Sequence, residues 1–121
     1  MIMGLLHHDV TLLNFDDAYS WQRKLSDFAD EWVELADIKE ANLFCSKRAL
    51  TEIGHRLSRR TGRGITFIGN GNYHYVTYLL LSKINRPFSL VLFDNHTDTK
   101  LPDGMPGLLT CGSWVTEAAA H

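Results

Sequence analysis

Short apolar runs separated by polar turns dominate the pattern of this chain, and three of the runs predict strands. Residues 10–15 have the β-branched and aromatic character of a strand. Residues 65–68 and 90–93 are bounded by turn residues, which is typical of strands buried on both faces of a parallel sheet. Residues 65–94 therefore predict a parallel, right-handed strand-helix-strand unit. The whole pattern predicts an α/β fold with a mostly parallel sheet.

Apolar residues at three- and four-residue steps predict helices between these strands. The first helix is expected from residue 18 to about residue 34, with a core stripe of Trp21, Leu25, Phe28, Trp32 and Leu35. The second is expected to begin after Ser46 as N-cap and to run to about residue 60, burying Leu50, Ile53 and Leu57. The third is expected from residue 73 to about residue 84, burying Val76, Leu79, Leu80 and Ile84.

Composition narrows the class of protein. The chain has 121 residues, 45% of them apolar, which suits a single domain over residues 1–121. A formal charge of -2 and no basic run longer than Arg59–Arg60 argue against nucleic acid and anionic membranes as partners. Two distant cysteines, no secretion signal and no apolar stretch of the ~20 residues that a membrane span needs predict a cytoplasmic protein without disulfides.

Side chains with metal-binding chemistry follow the third predicted strand. Asp94, His96 and Asp98 lie at alternate positions, so in extended backbone they leave on the same side. Two carboxylates and an imidazole suit a divalent cation such as Mn²⁺, Zn²⁺ or Fe²⁺. His74 follows the preceding strand, and parallel strands bring their carboxyl ends to one edge. A histidine at a helix start is usually a polar surface residue, but the neighbouring cluster favours a ligand.

Two other motifs have simpler explanations than function. Asp16 and Asp17 end the first strand and could form a ligand pair, although turn or capping chemistry is commoner for acidic residues there. The glycine-rich loop at residues 69–72 could hold a phosphate. It lacks the Lys-Ser/Thr of a P-loop and the spacing of a dinucleotide fingerprint, so we interpret it as a hinge.

The motif Asp-Asn-His-Thr-Asp at residues 94–98 resembles the Asp-x-His-Thr-Asp motif of the arginase family, the ureohydrolases that include agmatinase and formiminoglutamase. Residues 71–74 lie where that family has its Gly-Gly-Asp-His motif. The resemblance implies a three-layer α/β/α fold of the arginase and deacetylase type. It also implies a two-manganese centre in which Asp94 bridges both ions, His74 and Asp98 bind one ion, and His96 binds the other.

This resemblance implies a hydrolase that acts on a linear C–N bond in a guanidino or amidine substrate. In the family, a hydroxide held between the two ions attacks the guanidino carbon and releases urea or a related amide. Two neighbouring cations lower the pKa of a shared water and polarise the substrate, so no side-chain nucleophile is needed. No catalytic side chain is therefore assigned in this chain.

Three features of the sequence depart from the family pattern. Asn72 stands where the family has Asp, and Thr99–Lys100 stands where arginases carry an Asn that helps bind the amino-acid end of the substrate. No Asp-x-Asp motif, the source of the last two family ligands, follows Asp98. Family members are also much longer. We therefore expect the amino-terminal part of an arginase-like domain, with an incomplete site and low activity.

The segment at residues 108–115 resembles the family segment that helps to line the substrate cleft. Active arginases have a catalytic His near this position, whereas this chain has Cys111. The resemblance implies that Cys111 and Ser113 line the substrate site. With no base beside it in the sequence, Cys111 is more plausible as a lining residue than as a nucleophile.

Two alternatives to the arginase-type hydrolase stay open. The chain could be a non-catalytic, metal-binding fragment whose open sheet is completed by a partner chain or another copy of itself, and a homo-oligomer is expected for this reason. It could instead be a deacetylase-like zinc hydrolase, since that group shares the fold and an Asp-x-His pair. Asp98, at the fifth position of the motif, favours the two-metal version.

Overall fold

A parallel sheet of three strands organises the protein, and its central strand is the first. The structure, a computed structural model, describes residues 9–60, 64–100 and 108–120. Its strands are β1 (Val10–Asn14), β2 (Glu31–Glu34), β3 (Phe44–Cys45), β4 (Ile65–Phe67) and β5 (Leu109–Thr110). Its helices are α1 (Arg23–Phe28), α2 (Lys47–Leu57), α3 (Thr77–Leu81) and α4 (Trp114–Ala119), and a 3₁₀ helix over Gly71–Val76 leads into α3.

The sheet has the order β2-β1-β4, and both pairings are parallel. In register, Leu12 lies between Trp32 of β2 and Phe67 of β4. All five residues of β1 are buried, because they have a strand on either side and packed side chains above and below. The predictions of an α/β fold, of a strand at residues 10–15 and of a strand at residues 65–68 are therefore confirmed.

Helix α2 supplies much of the core against this sheet. Ser46 caps it as predicted, accepting a hydrogen bond from the Ala49 N–H at 3.1 Å. Ile53 and Leu57 are buried and Leu50 packs at the edge of the same cluster. The core also contains Leu13, Phe15, Leu35, Tyr73, Tyr75, Val76, Leu109 and Trp114.

The helix predicted from residue 18 to about residue 34 is wrong over most of its length. Only the exposed helix α1 forms there, and residues 31–34 form strand β2. The supposed core aromatics lie at the surface, with Trp21 91% exposed, Phe28 62% and Trp32 42%. Because the backbone of β1 is buried, its N–H and C=O groups need hydrogen-bond partners along both edges of the strand. Strand β2 supplies the partners along one edge. Of the predicted stripe, Leu35 is fully buried.

The strand predicted at residues 90–93 does not form among the residues that the structure describes. These residues have no ladder partner, and the chain bends at residues 95–96. Leu90, Val91, Leu92 and Phe93 are exposed, Phe93 by 94%. A strand buried on both faces needs neighbouring strands and covering layers, and the exposure of these four side chains shows that they lack such layers on both faces. The predicted strand-helix-strand unit therefore has its first strand and its helix but not its second strand.

The third predicted helix is shorter and tighter than expected. It begins as a 3₁₀ turn at Gly71, with Asn70 as its cap, and ends at Leu81. Val76 is fully buried, and Leu79 and Leu80 pack at the edge of the core. Ile84, which the pattern placed on the buried face, lies beyond the helix and is 39% exposed.

Loops at the carboxyl ends of β1 and β4 are joined by Asp16, which accepts a hydrogen bond from Asn70 Nδ2 at 2.5 Å. Asp16 Oδ1 also accepts from the Ala18 N–H, and Asp17 has a left-handed φ of 63°. The turn interpretation of this acidic pair is confirmed. Gly69, at φ 98°, lies where a Cβ would approach Asp16 Oδ1 to 3.3 Å, so this close approach favours glycine. Of the turn residues that precede the strand predicted at residues 65–68, residues 61–63 lie outside the described residues.

A second, two-stranded sheet brings the end of the chain to this same region. β3 and β5 pair antiparallel, with Cys45 opposite Leu109, and α4 follows after a short turn. The Cys111 N–H donates to Leu43 O at 3.0 Å and continues the contact between the two segments. None of the helices over residues 9–60, 64–100 and 108–120 is long and apolar enough to cross a membrane.

Ile53→Ala tests the packing of α2 on the sheet. The side chain is 0% exposed, so its truncation is expected to lower the free energy of unfolding by about 2–5 kcal/mol, measured by urea denaturation. Ile84→Ala is the matched control, because the same truncation at a site that is 39% exposed is expected to cost less than about 1 kcal/mol. Equal losses in the two variants would contradict this packing.

Candidate metal centre

Three of the four predicted ligands lie together at the carboxyl end of the parallel sheet. His74 belongs to the 3₁₀ helix that follows β4, and Asp94 and Asp98 belong to the segment beyond α3. One ligand atom from each residue lies within 4.8 Å of the other two. Among the described residues this is the group that could hold a metal ion. It forms although residues 90–93 are not a strand.

The ring of His74 is oriented for binding through its Nε2 atom. Its Nδ1 lies 2.5 Å from Gly71 O, and since a carbonyl can only accept, Nδ1 carries the proton and donates. Nε2 faces Asp98 Oδ2 and Cys111 O, each at 3.1 Å, and Asp94 Oδ2 at 3.8 Å. Three oxygens around one nitrogen need a positive charge among them, either a proton on Nε2 or a bound cation.

Asp98 is a buried carboxylate with two nitrogen neighbours on one oxygen. It is 4% exposed, and Oδ2 accepts from Trp114 Nε1 at 2.8 Å and faces His74 Nε2. Its backbone has a left-handed φ of 55°, and its carbonyl accepts from the Val115 N–H at 3.1 Å. A non-glycine residue seldom adopts this conformation, and at functional sites the surrounding contacts hold it in place.

Asp94 offers its two carboxylate oxygens to two different neighbours. The His96 N–H donates to Oδ1 at 2.9 Å and lowers the pKa of Asp94 below its ordinary value, and the charge of a protonated His74 acts in the same direction. The side chain of Asp94 is 23% exposed. The carboxyl is therefore ionised at neutral pH and accessible to a cation from solvent.

His96 does not join the three other predicted ligands. Its side chain is 82% exposed, and its Nδ1 lies 3.6 Å from Asp94 Oδ1, on the carboxylate oxygen that does not face His74. The expected convergence of Asp94, His96 and Asp98 assumed extended backbone, and the bend at residues 95–96 and the left-handed Asp98 remove that alternation. Asp94 and Asp98 still meet, because both turn toward His74.

Cys111 and Ser113 lie in the turn that precedes α4, beside the candidate ligands. The Cys111 carbonyl faces His74 Nε2, and its thiol lies 3.2 Å from Asn72 O. Ser113 is 3% exposed, and its hydroxyl accepts from Thr110 N and Thr110 Oγ1. Their role in lining a substrate cleft stays a prediction.

Two groups of the site were missed by sequence reasoning. Trp114 touches both His74 and Asp98, and Gly71 contributes only its carbonyl. A backbone carbonyl has no sequence signal of its own. Trp114 had one indirect signal, its place within the segment at residues 108–115 that resembles the cleft-lining segment of the family, but no role at the metal site was predicted for it.

A cavity of about 690 Å³ lies away from the ligands, between β4, the end of α2 and α3. Its lining includes Arg60, Thr66, Leu80 and Phe88, and none of the candidate ligands. Arg60 is already engaged with the Thr11 and Thr66 hydroxyls. We assign the functional site by ligand geometry, because no His, Cys, Asp or Glu of the described residues lines this cavity.

Comparisons with known proteins give a relative but no family. No protein-family model matches the chain, and no solved structure matches it. An uncharacterized protein of Thermotoga maritima is 36% identical over 109 residues. The match covers 90% of this chain but 42% of that relative, so the chain spans about two fifths of the relative's length. The activity of the whole protein is therefore a matter for proposal.

Thiol reactivity tests whether Cys111 is a lining residue or a nucleophile. Burial raises the pKa of both thiols, that of Cys45 to about 11, and a raised pKa leaves less thiolate. In Cys45→Ala, Cys111 is expected to react with a disulfide reagent more slowly than free cysteine at about pH 8, and faster as the pH rises. In Cys111→Ala, buried Cys45 is expected not to react until the protein unfolds. Faster reaction of Cys111 than of free cysteine at neutral pH would contradict this ordering.

Proposed function

We propose that this chain is the amino-terminal part of an arginase-like, metal-dependent hydrolase that acts on a linear C–N bond of a guanidino or amidine substrate. The observation that carries the proposal is the meeting of His74, Asp94 and Asp98, with ligand atoms within 4.8 Å of one another. These three residues belong to the two motifs that resemble the arginase family. The finer fold, a three-layer α/β/α domain, is part of the same proposal.

The donor set fits a hard or borderline divalent cation. Two carboxylates and one imidazole suit Mn²⁺, and Zn²⁺ or Fe²⁺ are alternatives. His74 would bind through Nε2, since its Nδ1 proton is held by Gly71 O, and a histidine ligand with its second nitrogen held in this way is typical of metal sites. Asp98 and Asp94 would supply carboxylate oxygens that already face Nε2.

In this proposal, Asp94 also contributes an oxygen to a second metal position. Its Oδ2 faces His74 while its Oδ1 lies on the side of His96. A carboxylate with one oxygen toward each histidine can bridge two cations. The side chain of His96 is 82% exposed. It would have to turn toward the site to bind a cation, and its exposure to solvent leaves it free to turn.

In this proposal, the side chains hold the reacting groups and no side chain attacks. When bound, divalent cations lower the pKa of water and polarise the substrate. Asp94, whose pKa lies below its ordinary value because the His96 N–H donates to it, would hold a negative charge where the cations bind. The buried Asp98 would keep its orientation through the Trp114 N–H. The substrate is a small molecule of the guanidino type.

A second candidate function is a metal-binding subunit that completes its sheet by association. The observation that favours it is the apolar segment at residues 88–93, in which Val91 is 74% and Phe93 is 94% exposed. Ile65, on the outer strand β4, is 46% exposed. Apolar surface beside an unpaired strand edge favours association with a partner chain or a second copy.

Metal titration with a matched pair of histidine variants tests the first proposal. The chain is expected to bind Mn²⁺ in isothermal titration calorimetry. Loss of a residue that only supports a metal ligand typically weakens metal binding ~10–100-fold. His74→Ala removes a ligand itself, so it is expected to weaken Mn²⁺ binding by more than that. Asp94→Asn, which keeps the shape but removes the charge, is expected to do the same. His55→Ala is the control, because His55 is an exposed histidine of α2 that does not belong to the candidate ligand group.

The stoichiometry separates the hydrolase classes. Two Mn²⁺ ions, with loss of the weaker one in His96→Ala, support the arginase type. One tightly held Zn²⁺ with no second site favours the deacetylase-like alternative. Failure of the unaltered chain to bind any of these cations, or unchanged binding in Asp94→Asn, would defeat the metal-dependent proposal. Urea release from guanidino substrates is expected to be weak, because the sequence holds no later Asp-x-Asp motif.

Sedimentation tests the association that the second candidate requires. The chain is expected to self-associate as its concentration rises, and Phe93→Ser is expected to weaken this by removing apolar surface. Trp21→Ser is the matched control, because Trp21 is equally exposed, at 91%, but lies before α1. A monomer at all concentrations would count against this candidate.

A further inference from the structure

Trp114 contacts two of the three candidate ligands at once. Its indole N–H donates to Asp98 Oδ2 at 2.8 Å. Its ring lies nearly perpendicular to that of His74, with 6.3 Å between the centroids and 81° between the planes. His74 and Asp98 are 24 residues apart in the chain. One side chain from a third segment therefore sets the placement of two ligands relative to each other.

Indole chemistry makes Trp114 a support rather than a ligand. Its N–H can only donate, so it offers no lone pair to a cation. Trp114 is 0% exposed and Asp98 is 4% exposed, so water does not replace this donor when it is lost. A donor in a fixed position on one oxygen orients the whole carboxylate, including the oxygen that faces away from Trp114.

The backbone around Trp114 holds the same loop. The Val115 N–H donates to Asp98 O at 3.1 Å, and the Lys100 N–H donates to Gly112 O at 2.9 Å. These bonds fix the segment that carries the left-handed Asp98 against the start of α4. The Trp114 ring is therefore anchored on both sides of its contact with the carboxylate.

We propose that Trp114 is a positioning residue of the metal site. Its indole N–H orients Asp98, and its ring, perpendicular to the His74 imidazole, orients that ring, so that both ligands face a divalent cation such as Mn²⁺. This inference rests on the proposed function, because it requires a cation at His74, Asp94 and Asp98. It assigns a role at the metal site to a residue outside the two metal-binding motifs, in the segment that resembles the cleft-lining segment of the family.

Trp114→Phe removes the N–H and keeps an aromatic ring. Mn²⁺ affinity, measured by calorimetry, is expected to fall about ten-fold, as for loss of an outer partner of a metal ligand. The visible absorption spectrum of the Co²⁺-loaded protein is expected to change as well, because the ligand geometry changes. Trp32→Phe is the matched control: it also removes an indole bond to a carboxylate, Glu34 Oε2 at 3.1 Å, but on strand β2. We expect it to leave both readouts unchanged.

A second measurement needs no change at Trp114. The chain has three tryptophans, so in a ¹⁵N-labelled sample the Trp21→Phe and Trp32→Phe variants assign the remaining indole N–H resonance to Trp114. Substoichiometric Mn²⁺ is expected to broaden the Trp114 resonance first, because its proton lies against a ligand of the ion. This measurement decides the question if Trp114→Phe does not fold.

The outcomes separate this inference from the proposal beneath it. If the unaltered chain binds no Mn²⁺, the proposed function fails and the inference fails with it. If the unaltered chain binds Mn²⁺ but Trp114→Phe binds it equally well, or weakens it with an unchanged Co²⁺ spectrum, only the positioning role is overturned. A Trp114 indole resonance that Mn²⁺ leaves sharp would also overturn it.

Discussion

A carboxylate buried beside a histidine is the constraint on which the candidate site depends. Asp98 is 4% exposed, and a buried charge is costly unless donors or a cation surround it. His74 and Trp114 both reach its Oδ2 atom, at 3.1 Å and 2.8 Å. These two groups come from the helix after β4 and from the start of α4. The site therefore forms only when segments distant in the chain have folded against one another.

Local chemistry let the sequence predict a substantial part of this arrangement. The apolar run of β1 and the Ser46 cap of α2 are visible in the sequence because strand propensity and capping act over a few residues. The ligand group was predictable for a different reason. The two motifs contain residue types that bind metals, and that chemistry pointed to His74, Asp94 and Asp98 although the second strand of the predicted unit does not form.

The remainder depends on contacts that no local pattern encodes. The stripe with Trp21 and Trp32 fits a helix in sequence, but the buried backbone of β1 draws residues 31–34 into the sheet instead. The apolar run at residues 90–93 matches a buried strand and yet lies exposed without a covering layer. Trp114 reaches His74 and Asp98 only through the turn that returns the chain to this region. Each miss therefore reflects tertiary context overriding a local pattern.

Anomalous diffraction from a crystal of the protein soaked in Mn²⁺ tests metal binding at this site most directly. The predicted result is an anomalous peak in contact with His74 Nε2 and with carboxylate oxygens of Asp94 and Asp98. Trp114 should still donate to Asp98 in that crystal. An anomalous map with no peak at these three side chains, or with Mn²⁺ bound only elsewhere, would contradict the assignment of a metal centre.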